Sequence, residues 1–135
     1  VPGALVSVIC NGALNRALKE YDLDDPGLIL DKEREIVIEE FSKSDENVKD
    51  GMDIDLCKTV DNHLFFAGAH NPLWIIRNGE ILETKANKEP IGKFDFQTPF
   101  NTHHIELEKE DQIFVVSDNF VEQFEREKGK KLKSV

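Results

Sequence analysis

Leu73-Trp-Ile-Ile-Arg-Asn-Gly-Glu-Ile-Leu-Glu-Thr84 is a pair of apolar runs joined by the dipeptide Asn78-Gly79. Asn-Gly supplies the two positive φ angles of a type I′ turn, whose twist matches that of the strands it connects. The stretch therefore predicts an antiparallel hairpin with arms at Pro72–Arg77 and Glu80–Thr84. Trp74 lies in the first arm, and exposing so large an apolar ring is costly, so one of its faces is expected in the core or against another chain.

Upstream, from Gly51, the apolar period is two. Met52, Ile54 and Leu56 fall on one face and Asp53 and Asp55 on the other, the pattern of a half-buried strand. Solvation or cross-strand pairing is expected for the two aspartates. Val60-Asp-Asn-His63 turns the chain into a second strand, Leu64–Ala67. Downstream, His104–Leu107 and Gln112–Ser117 read as strands joined by Glu108-Lys-Glu-Asp111. Ahead of all of these the period is helical. Residues 3–20 place Leu5, Val8, Ile9, Leu14, Ala17 and Leu18 largely on one face. Asp25-Pro26 is a good cap and first-turn pair for a second helix marked by Leu28, Ile29, Lys32, Ile36 and Phe41 and ending near Ser42. Ser42–Lys49 is a polar loop. The fold class that follows is α+β, an antiparallel sheet packed on two N-terminal helices.

A chain of 135 residues with 39% hydrophobic content is one domain by length and can support a core. Its 27 acidic against 17 basic side chains, a formal charge of −10, argue against nucleic acid, whose phosphates call for clustered Lys and Arg. The basic tail Lys128-Gly-Lys-Lys-Leu-Lys133 reads as a solvated connector. No apolar run approaches the roughly 18 residues that span a bilayer, and no secretory segment follows a basic start. Cys10 and Cys57 each sit in an apolar pattern and read as buried free thiols, which suits a cytoplasmic setting.

Chemistry concentrates in Ile113-Phe-Val-Val-Ser-Asp-Asn-Phe-Val-Glu-Gln-Phe124, where a buried-strand pattern runs straight into turn residues. Asp118 is expected at the carboxyl edge of that strand, as a metal ligand or as the cap of a following helix. Asp50, Asp53 and Asp55 do not make a calcium loop, because Gly51 comes too early and no Glu occupies the twelfth position. His70 reads as a loop-packing residue, and His103 and His104 point to opposite faces of a strand. No Gly-x-Ser-x-Gly elbow occurs.

Asp50-Gly-Met-Asp-Ile-Asp-Leu-Cys57, Phe66-Ala-Gly-Ala-His-Asn-Pro-Leu-Trp74, Lys88-Glu-Pro-Ile-Gly-Lys93 and the Asp118 segment follow one another in this order. Together they resemble the sporulation-stage-II-E (SpoIIE/RsbU) branch of the metal-dependent PPM serine/threonine protein phosphatases, over nearly the whole chain. Val1-Pro-Gly-Ala-Leu5 is similar to the family segment that follows a Gly-His-Gly turn. The resemblance implies part of an α-β-β-α sandwich and a pair of Mn²⁺ or Mg²⁺ ions that activate a water for attack on phosphorus. It implies Asp118 as a metal ligand and Glu122 at an accessory position where an Asp is common. It also implies a phosphoprotein substrate such as an anti-sigma-factor antagonist, in sigma-factor regulation. Asn119 replaces the family's Gly, and the family's bridging Asp and late Asp-Asp segment have no counterpart between Val1 and Val135. One carboxylate cannot hold a dinuclear centre. The expectation is thus a single, incomplete phosphatase domain over 1–135, inactive alone, with a non-catalytic regulatory or interaction module as the alternative. Unpaired edges of a shortened sheet make homo-oligomerisation through those edges a further expectation.

Overall fold

In the computed structural model, which describes residues 3–21, 23–43, 52–92, 97–116 and 133–134, the two helical stretches are α1 (Gly3–Lys19) and α2 (Pro26–Ser42). Asp25 caps α2 from an extended backbone, its carboxylate accepting from the Leu28 amide at 3.1 Å, with Pro26 opening the helix. Thr102 donates to the same carboxylate at 2.7 Å and accepts the Gly27 amide at 2.8 Å, so the cap also anchors a distant loop.

The inward stripe of α1 differs from the one its period suggests. Cys10, Ala13 and Ala17 are buried, while Val8 is 69% and Leu18 41% exposed. The bulk at this interface comes from α2, whose Leu30, Ile36, Val37 and Phe41 fill the space facing Cys10 and Ala13. Small residues on α1 are what such a close-packed contact accommodates. Of the stripe expected on α2, Ile29, Ile36 and Phe41 are buried and Leu28 is outside.

The strands are β1 (Ile54–Val60), β2 (His63–Ala69), β3 (Leu73–Arg77), β4 (Glu80–Thr84), β5 (His103–Glu106), β6 (Gln112–Val115) and β7 (Lys133–Ser134). Asn78 and Gly79 have φ of 52° and 77°, and Arg77 pairs with Glu80 across them, as the hairpin reading requires. The strands divide between two sheets, ordered β1-β2-β5 and β6-β3-β4-β7, antiparallel except for β4 with β7. A single meander would pair β2 with β3. Instead the chain changes sheets at His70-Asn-Pro72, where His70 takes φ of 83° and Pro72 has no amide to donate to a ladder. It returns to the first sheet as β5 and crosses again as β6.

The layers follow from strand alternation. Met52, Ile54, Leu56, Ala67 and Ala69 meet the helices, while Leu64, Phe66 and Ile105 meet Leu73 and Ile75 of the second sheet. Trp74 is only 4% exposed, and its indole donates to Glu83, its cross-strand partner, at 3.0 Å. No helix among the described residues is long and apolar enough to cross a membrane.

Candidate functional site

Asp118 and Glu122, the metal ligands that the resemblance implies, lie outside the described residues, as do Asp50 and most of the basic tail. The strand leading to them is in place: β6 pairs with β3 from Gln112 to Val115. Among the described residues, no group of three or more His, Cys, Asp or Glu side chains is placed to hold a metal ion. The described donors by themselves therefore do not make a two-ion centre.

The structure does place two carboxyl groups where a charge is costly. Asp53 is exposed as expected, but both carboxyl oxygens of Asp55 are buried without a hydrogen-bond partner among the described residues. Desolvation, reinforced by the charge of Asp53, pushes the Asp55 carboxyl up to about 8. The polar face of β1 looks toward the second sheet at this point, not toward water. Gly68 is the cross-strand partner of Asp55, and a Cβ on Gly68 would stand 2.8 Å from Asp55 Oδ1 and 2.6 Å from the Ala86 methyl. Glu33, on α2, is fully buried with both oxygens unpartnered among the described residues, and burial pushes it up to about 7. Burial, then the nearby Glu33, raises the Cys10 thiol to about 11. Cys57 is free like Cys10 but exposed rather than buried, because it stands on the edge strand of the first sheet. Loss of hydration at its sulfur and the neighbouring Asp55 still push it up to about 11. Neither thiol has the lowered pKa of a nucleophile.

Other ionic groups are paired. Arg34 donates to Glu89 at 3.0 Å in a buried contact and covers the Phe100 ring at 4.6 Å. Glu89 also accepts the Thr98 amide at 2.9 Å, and Asp31 accepts the Phe100 amide at 2.8 Å. This clamp fixes the Lys88-Glu-Pro-Ile block, Thr98 and Phe100 to α2. Arg77 grips Asp111 through Nε at 3.0 Å and Nη2 at 2.7 Å, holding that carboxyl below its usual range. A cleft of about 260 Å³ at the start of α2 is lined by Asp24, Asp25, Pro26, Lys58 and Phe65, with Lys58 and Asp24 paired across it. Beside it, His104 stacks on Phe65 and meets His63, while His103 lies on the opposite face near Phe66. His70 sits at the sheet crossing, its amide bonded to the Asn87 carbonyl at 2.8 Å.

The Glu33, Arg34–Glu89 and His63–His104 arrangements were not foreseen. Glu33 alone carried a signal, a carboxylate amid the apolar positions Leu30, Ile36 and Val37. The other two depend on which segments become neighbours, which local pattern does not encode.

The family described as stage II sporulation protein E (SpoIIE) matches residues 1–134. Among solved structures, the SiaA-PP2C domain of Pseudomonas aeruginosa superposes with a TM-score of 0.74 at 24% identity, covering 91% of this chain and 48% of that one. The chain thus spans about half the length of the solved domain it matches, and the likeness is one of fold. No curated protein matches the chain closely enough to serve as a relative.

Proposed function

From a chain that belongs to the stage II sporulation protein E (SpoIIE) family, we propose a phosphatase module for phosphoserine and phosphothreonine in bacterial signalling. The observation that supports it is the family match over residues 1–134, carried on two stacked sheets beside a helix pair. Asp118 is its proposed metal ligand and Glu122 an accessory one, with Mn²⁺ or Mg²⁺ as the ion, because carboxylate oxygens suit hard cations. Bound metal would supply a nucleophilic water and neutralise phosphoryl charge. An anti-sigma-factor antagonist is the class of phosphoprotein proposed as substrate, and the cytoplasm is the proposed setting.

A second reading is supported by a residue of the sequence: Asn119 stands beside Asp118 where the family resemblance implies Gly. On that reading the chain is one incomplete phosphatase domain, serving as a non-catalytic regulatory or interaction module. The test is hydrolysis of p-nitrophenyl phosphate and of a phosphopeptide, with and without Mn²⁺, by the chain and by Asp118→Asn. Little turnover is expected from the 135 residues, since losing about 4 kcal/mol of metal stabilisation costs roughly a thousandfold in rate. A polypeptide extended with a family Asp-x-x-Gly-His-Gly segment and final strand should gain metal-dependent activity and lose it on Asp118→Asn. Silence of the extended form would leave the non-catalytic reading. Robust turnover by the short chain, abolished by Asp118→Asn, would overturn it.

A further inference from the structure

Strands β2 and β5 pair so that His63 faces Glu106 and Phe65 faces His104. His63, Phe65, His104 and Glu106 therefore share one face of the first sheet, with the two histidines on a diagonal. Their nitrogens converge: His63 Nδ1 lies 2.8 Å from His104 Nε2, with ring centroids 4.9 Å apart and planes 37° from each other. Only one of these nitrogens can carry the proton, so the other presents a lone pair to the same point. We propose that His63 and His104 form a two-imidazole site for a borderline divalent cation of the zinc, nickel or copper type.

Four features support the assignment. Phe65 lies flat against His104, centroids 4.7 Å apart and planes 9° apart, which orients the imidazole before any ligand arrives. Tetrahedral coordination at about 2.0–2.1 Å places two nitrogens about 3.3 Å apart, so the half-buried His63 ring and the exposed His104 ring need to separate by about half an ångström. Glu106, opposite His63, adds negative charge on that face, where its carboxylate accepts a long hydrogen bond of 3.4 Å from Asn62. The net charge of −10 raises the local concentration of cations generally.

Binding balances without net proton release from the neutral pair. The proton at the contact moves to the outer nitrogen of the same ring, Nε2 of His63 or Nδ1 of His104, and both inner lone pairs turn to the metal. No third side chain completes a cluster among the described residues, so water takes the remaining positions. Imidazole suits Zn²⁺, Ni²⁺ and Cu²⁺, whereas Mg²⁺ prefers oxygen. The site is thus independent of the carboxylate centre proposed for phosphate hydrolysis.

The test is titration of the 135-residue chain with Ni²⁺ and, separately, Zn²⁺, followed by calorimetry and by imidazole ¹⁵N–¹H spectra. One equivalent should bind, with Ni²⁺ broadening the His63 and His104 resonances first and Mg²⁺ leaving them unmoved. His63→Ala and His104→Ala should each weaken binding by about tenfold or more. His104→Gln keeps a planar amide to rest on Phe65 and a donor for His63 but removes the imidazole ligand. Equal weakening in that variant assigns the loss to coordination rather than to folding. Affinity retained in His104→Gln, or broadening confined to His70 and His103, overturns the proposal.

Discussion

Asp55 carries a consequence that a surface aspartate would not. Its folded value of about 8 stands above its ordinary 3.8. Between those two values the folded chain therefore holds a proton that the unfolded chain releases, and stability falls as pH rises through the window. Glu33, pushed from 4.5 to about 7, acts in the same direction over its own, narrower window. Asp55→Asn removes the charge while keeping the shape. It is expected to stabilise the fold by about 1–3 kcal/mol at pH 8, after allowance for screening at a partly exposed residue, and to change little at pH 4. Urea unfolding at the two pH values measures this, and an equal effect at both would mean that the carboxyl is hydrated in the folded chain.

At the scale of elements, the Arg34–Glu89 clamp and the cap of α2 do related work. Glu89→Ala takes the nearer carboxylate from a buried guanidinium, leaving Asp31 at 3.5 Å, and should cost about 3 kcal/mol, whereas Arg34→Met combined with Glu89→Leu should recover most of that loss. Thermal unfolding of the single and double variants separates the two cases. At Gly27, a Cβ would meet the Phe100 carbonyl and Thr102 Oγ1 at 2.5 Å each. Helix propensity alone makes Gly→Ala favourable by about 1 kcal/mol, so the predicted net loss of about 1–3 kcal/mol in denaturant titration would report this close contact. The elements themselves were legible because their causes are local: Asn78-Gly79 for the hairpin, Asp25-Pro26 for the helix start, alternation for β1. The packing face of α1 was not, since its apolar residues circle the helix and only α2 decides which of them turn inward. The burial of Asp55 was not legible for the same kind of reason, alternation giving its face but not what lies opposite.

At the scale of the molecule, β6 is an edge strand among the described residues, with Ile113, Phe114 and Val115 at 40%, 43% and 57% exposure. Such an edge lacks the lysine, proline or bulge that discourages pairing, and concentration-dependent self-association is expected in sedimentation. Val115→Lys should abolish it, and a wild-type chain that stays monomeric at high concentration would refute the expectation. The candidate site was legible only as a family motif, its proposed ligands Asp118 and Glu122 lying outside the described residues, and the two-sheet order was beyond local pattern because it rests on long-range register. That order, with β1 and β2 in one sheet, β3 and β4 in the other, then β5 and β6 returning to each in turn, also bears on how the chain reaches its fold. The first sheet gains β5 only after the β3–β4 hairpin has been made, and the second gains β6 only after β5, so each closure spans a piece of the other sheet. Folding is then expected as one cooperative event that waits for residues past 106, and a ribosome-tethered chain stopped at Thr84 should hold hairpins and helices without protected sheet amides.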